Sequence, residues 1–83
     1  MAYSGEMSEM EEREMDLQML RDDLVGELQA INQYQDHIGS LEDEEAKRTL
    51  EHIRDEEKEH VAELTRLLLK LDPTQAEKFR EIG

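Results

Sequence analysis

The sequence predicts an all-α protein: an antiparallel two-helix hairpin followed by a short C-terminal helix, completed to a four-helix bundle by a second copy of the chain. Three observations carry this. Charged residues make up 40% of the 83, aromatics 4%, with one proline and four glycines, a composition suited to long solvent-flanked helices and not to sheets. Two long stretches place apolar residues at i+3/i+4 spacing, each interrupted near its middle by one acidic residue, joined in the second by a histidine. A hairpin of this size cannot bury both sides of its apolar surface alone, so association is expected.

Met1 to Met7 contain Gly5 and no periodicity, and are expected to be disordered, leaving 8–83 as one domain. Ser8 followed by Glu11 has capping-box spacing, and acidic residues crowd the turn that follows, which starts a first helix at Glu9. It runs to Ile38, about 45 Å. Met7, Met10 and Met15 are expected to fill core at its loose end. Gly26 weakens this helix in its middle by roughly 1 kcal/mol relative to alanine, a cost that fits close approach of another helix or access for a ligand beside Glu27.

Gly39 suits the position just past a helix C-terminus. A hairpin pivoting between Gly39 and Ser40 would set Glu27 level with His52, whereas a loop reaching Asp43 moves its level partner to about Arg54 or Asp55. Asp43 is therefore the expected cap of a second helix, Glu44 to Leu71, with Glu44 and Glu45 at its positive end. Leu67-Leu68-Leu69 is apolar on more than one face and implies a second protein contact. Asp72-Pro73-Thr74-Gln75 reads as a cap, a first-turn proline and a glutamine at the third helical position, opening a third helix from Pro73 to Glu81 that Phe79 and Ile82 would dock.

The interruptions in the two stripes hold the chemistry. In the second helix, Ala46, Leu50 and Ile53 lead to Glu57 and His60 and then to Leu64, Leu67 and Leu71 on one stripe. In the first, Leu20 and Leu24 lead to Glu27 and then to Ile31, Tyr34 and Ile38. An ionised carboxylate in an apolar seam is costly unless it is paired or bound to a metal. Either a shared cation explains all three polar residues, or they form a polar group at a bundle edge with the carboxylates bonded to lysine or arginine. Glu-x-x-His alone is weak in a chain this rich in glutamate; its place in the stripe gives it weight.

The formal net charge of -13 argues against nucleic acid and anionic membrane as partners and suits cations, or simply the solubility of a helical assembly. With no cysteine, disulfides, thiolate zinc sites and iron–sulfur ligation are excluded. Nothing resembles a signal peptide or membrane span, so a cytoplasmic protein is expected. Carboxylate and imidazole donors suit iron, manganese or zinc, but one chain supplies too few for two metals. Two chains suffice, because a di-iron carboxylate bundle uses one Glu from each of two helices and Glu-x-x-His from each of the other two. That puts the site on a homodimer axis, with both copies of Glu57 placed to bridge and Glu27 and His60 completing each sphere. Tyr34 returns to the face of Glu27 seven residues on, either to approach the site or as an ordinary half-buried tyrosine. His37 and His52 stand outside the stripes and are expected at the surface.

From about Leu20 to Gln75 the chain resembles the ferritin-like superfamily, and most closely the encapsulated ferritins. The resemblance rests on Glu-Leu-Gln-Ala-Ile-Asn-Gln-Tyr at 27–34, Arg-Asp-Glu-Glu-Lys-Glu-His at 54–60, the thirty-residue step from Glu27 to Glu57, and Leu-Asp-Pro at 71–73. It implies a ferroxidase: two Fe(II) per dimer, held by Glu27, Glu57 and His60 with Tyr34 nearby, are oxidised by oxygen or peroxide and released as Fe(III) for storage and detoxification. It also implies rings of dimers, commonly decamers, inside an encapsulin shell that holds the mineral. Relatives often carry an acidic residue where this chain has Gln29, and a C-terminal shell-docking tail beyond the position of Gly83. A rubrerythrin-like di-iron oxidase or peroxidase would use the same ligands, and a metal-free acidic helical assembly module is the reading from another class.

Overall fold

The computed structural model describes residues 8–83 and contains three helices, α1 (Glu9–Ser40), α2 (Glu44–Leu71) and α3 (Pro73–Ile82), with no strand among the described residues. Each helix starts where a short polar side chain replaces a missing backbone partner. The Ser8 hydroxyl accepts from the Glu11 N–H at 3.1 Å and donates to the Glu11 carboxylate at 3.2 Å. Asp43 accepts from the Ala46 N–H at 2.8 Å, and Asp72 from the Gln75 N–H at 3.2 Å, with Pro73 in the first turn of α3. All three expected caps are in place. The expected disorder of residues 1–7 lies outside the described residues.

α1 overruns its expected end by two residues. Gly39 remains helical, since Gly83 alone among the described residues has a positive φ, and the Leu41 N–H closes the last turn on the His37 carbonyl at 2.9 Å. The turn is consequently just Leu41 to Asp43, and it returns α2 antiparallel to α1. Leu17 and Leu68 are buried, and Leu20, Leu24, Ile31 and Ile38 of α1 are half-buried against Leu50, Ile53, Val61 and Leu64 of α2. Two further ties cross the hairpin on either side of its middle. Arg54 donates to the Gln35 side-chain oxygen at 2.8 Å, and Arg21 donates to Asp72 at 3.1 Å while also meeting Glu14 at 3.0 Å.

Three packing expectations fail within the chain. The sequence pattern puts Leu67 in the seam, but Leu68 is the buried residue; successive helical residues are 100° apart, so the leucine run spreads over the seam and both flanks. Met10 is 82% exposed and Met15 is exposed, because α2 ends at Leu71 and α3 packs on α2 alone, leaving the first turns of α1 uncovered. Phe79 and Ile82, expected to dock α3, are 48% and 88% exposed. Only Ala76 of α3 is half-buried, so the helix is anchored mainly through Asp72.

That residue serves two helices at once. One carboxylate oxygen caps α3 and the other receives Arg21, and the Gln75 N–H together with the guanidinium holds its pKa below the ordinary value of 3.8. A depressed carboxyl contributes stability above its unfolded pKa and loses it as the pH falls through the lower folded value. Acid titration followed by amide exchange is expected to release α3 below the usual aspartate range, and Arg21→Ala to move that release to higher pH. An unchanged profile in the variant would separate Arg21 from the anchoring of α3.

Candidate metal centre

Glu27 and Glu57 sit at facing positions halfway along α1 and α2, where the stripes bring them to the seam. Their side chains are 27% and 18% exposed, against 47% for His60. His60 was expected within the seam; Val61 occupies that place, and the imidazole stands on the adjoining flank one residue earlier. From there its Nδ1 lies 3.4 Å from Glu27 Oε2 and 3.5 Å from Glu57 Oε2, and one donor atom of each residue lies within 4.8 Å of the others. Neither carboxylate has a lysine or arginine at ion-pair distance among the described residues. The alternative of structural ion pairs at a bundle edge therefore lacks its basic partners.

These separations fit a shared cation. Ligands about 2.1 Å from a first-row metal and about 110° apart stand roughly 3.4 Å from one another, whereas 3.4–3.5 Å is long for a hydrogen bond. The three residues face a depression of about 610 Å³ that is also lined by Asp22, Asp23, Gly26, Ala30, Glu63 and Leu64. Its walls hold five carboxylates and no lysine or arginine, so its potential attracts cations. Asp22, Asp23 and Glu63 were not singled out from the sequence, although Asp23 precedes Glu27 by four residues and Glu63 follows His60 by three, both same-face spacings.

Gly26 forms part of this wall, and a Cβ there would meet nothing within 4 Å. Among the described residues no other helix comes that close to it, which leaves the open side of the depression as what its missing side chain serves. Tyr34 is half-buried and does not line the depression. His37 and His52 are exposed as expected, and His52 Nε2 lies 3.3 Å from Glu56 Oε1 on the surface of α2.

The same arrangement of helices recurs in known proteins. The structure of protein ne0167 from Nitrosomonas europaea superposes with a TM-score of 0.79 at 30% identity, covering 96% of this chain and 85% of that one. The encapsulin nanocompartment cargo protein EncC of Myxococcus xanthus is 44% identical over 62 residues, 75% of this chain. A ferritin-like-encapsulin shell fusion protein of Pyrococcus furiosus is 39% identical over 64 residues, 77% of this chain. The chain spans 48% and 19% of the lengths of those two proteins. A ferritin-like protein of Thermotoga maritima is 32% identical over 78 residues, 94% of this chain and 68% of that protein. The EncFtn-like family model matches residues 2–82, nearly the whole chain, and the chain belongs to that family.

Proposed function

We propose that the protein is a ferroxidase, binding Fe(II) between two copies of the chain and oxidising it to Fe(III) for storage and detoxification. The observation that carries this is the cluster of Glu27, Glu57 and His60, two half-buried carboxylates with no basic partner and an imidazole at ligand-to-ligand spacing. Three donor residues on an open wall do not enclose two metals; a second copy supplies the other three. Glu57, the less exposed carboxylate, is the bridging candidate, with Glu27 and His60 as terminal ligands; Tyr34, half-buried two turns further along α1, is the near neighbour that the resemblance implies. Each Fe(II) loses one electron, and oxygen or peroxide accepts the pair and takes up protons.

Exposed apolar side chains support the pairing. Met19 and Leu67 are among the exposed apolar side chains, and Leu67 shares its flank of α2 with His60. Relatives named as encapsulin cargo and as a shell fusion motivate a place inside an encapsulin compartment; rings of dimers in the cytoplasm are what the ferritin-like resemblance implies. No helix among the described residues is long and apolar enough to cross a membrane.

Aerobic addition of Fe(II) to the metal-free protein is expected to produce ferric absorbance in the near ultraviolet faster than in buffer alone, with iron-edge anomalous scattering locating two irons per pair of chains. Iron bound without accelerated oxidation would favour a rubrerythrin-like use of the ligands. No binding at all would leave the acidic assembly module.

A further inference from the structure

We infer that Gln35 and Asp55 restrain the Arg54 guanidinium so that Glu57 stays free to bind metal, an inference that rests on the reading of Glu57 as a ligand. Residues three or four apart share a helix face. Those at these spacings from Glu27 are Asp23, Leu24, Ala30 and Ile31, and from Glu57 they are Ile53, Arg54, His60 and Val61. Arg54 is therefore the one lysine or arginine that helical spacing sets beside either carboxylate. An ion pair between Arg54 and Glu57 would occupy the carboxylate and hold a positive charge where a cation is to bind.

The guanidinium is engaged elsewhere. Its Nη1 donates to the Gln35 side-chain oxygen at 2.8 Å, while Nε and Nη2 both donate to Asp55 Oδ1, at 3.2 and 3.1 Å. All three guanidinium nitrogens thus have an acceptor, and neither acceptor is Glu57. The Arg54 and Glu57 side chains are each 18% exposed, so a pair between them would be screened less than one in open solvent. Gln35 lies about two turns from Glu27 and Arg54 about one turn from Glu57, both towards the turn of the hairpin. The bond across the helices therefore draws the arginine to that side of the cluster. Gln35 accepts it without adding another carboxylate there, and Asp55 offsets the arginine's charge. Both act only through Arg54, which makes them positioning residues.

The test is a Co(II) titration of the full chain at fixed protein concentration, read by visible absorbance, because Co(II) takes oxygen and imidazole donors without iron oxidation. Glu57→Ala identifies the part of the signal that belongs to the cluster. Gln35→Ala/Asp55→Ala frees Arg54, and both changes fall at exposed helical positions where alanine is favourable, so circular dichroism is expected to show unchanged helicity. Base before acid is the weaker order of such a pair, so the effect is modest. A guanidinium that holds Glu57 about two-thirds of the time raises the apparent Kd roughly threefold. Adding Arg54→Gln to the double variant is expected to restore the parent affinity. Adding Lys58→Gln instead restores the same net charge with Arg54 still in place, and is expected not to. Parent affinity in the double variant would overturn the inference, as would a loss that Arg54→Gln fails to reverse or that Lys58→Gln reverses equally well. A parent protein with no Co(II) signal dependent on Glu57 would remove the metal reading and this inference with it, so failure of the inference alone is distinguishable.

Discussion

Glu57→Ala is expected to lower the initial rate of aerobic Fe(II) oxidation by at least about a hundredfold, since even the outer partners of metal ligands are worth 10–100-fold and a bridging ligand serves two ions. Gln29→Ala and His52→Ala are expected to stay within about twofold of the parent rate, both being exposed and outside the cluster. Glu57→Gln discriminates further. It keeps the shape of a half-buried side chain while removing the charge, so a loss of activity there at unchanged helicity belongs to ligation and not to packing. Rates in Glu57→Ala equal to those of the parent would remove this residue from the reaction.

What the sequence disclosed and what it hid divide along a physical line. Ser8, Asp43 and Asp72 were legible as caps because capping is settled within three or four residues, and α2 begins and ends where those signals put it. Glu27 and Glu57 were legible because a carboxylate at a seam position violates the helical period, and both are half-buried in the structure. The fine assignment of faces was not. His60 and Leu67 each lie one residue before the seam positions held by Val61 and Leu68, a difference of 100° that a stripe read at mixed three- and four-residue steps does not separate.

The surroundings of Met10, Phe79 and Ile82 depend on where α2 stops and which way α3 turns, and those are tertiary facts. Their apolar character suggested burial, which is correct only if a second chain is present. Asp22, Asp23 and Glu63 were hidden for the opposite reason. In a chain with 23 acidic residues, three more on one wall do not stand out until the depression is seen. Gly26 is legible as a costly helical residue, and the structure narrows its use, since a Cβ there would meet no described neighbour within 4 Å.

Metal and assembly are expected to be coupled, and this is the second large effect. Pairing two copies across the depression brings two Glu27 and two Glu57 carboxylates together, with Asp22, Asp23 and Glu63 of each copy close by and no lysine or arginine lining either wall. Like charges in a partly desolvated space oppose association, so near neutral pH this interface is weak without metal. Two divalent cations offset the four ligand charges and bond to both chains, and a ligand that binds only the paired form shifts the equilibrium towards it. At a free metal concentration about 100 times its dissociation constant, each site contributes about 2.7 kcal/mol to pairing. Chelation at neutral pH is therefore expected to move the population to smaller species, and Fe(II) to restore the larger ones at fixed protein concentration. Glu57→Ala removes part of the repulsion and the bridge together, so its association should respond less to metal in either direction. Native mass spectrometry or sedimentation velocity with and without Fe(II) reads this directly. Identical distributions under both conditions would mean that apolar contacts alone set the assembly, and that the acidic wall does not hold the chains apart.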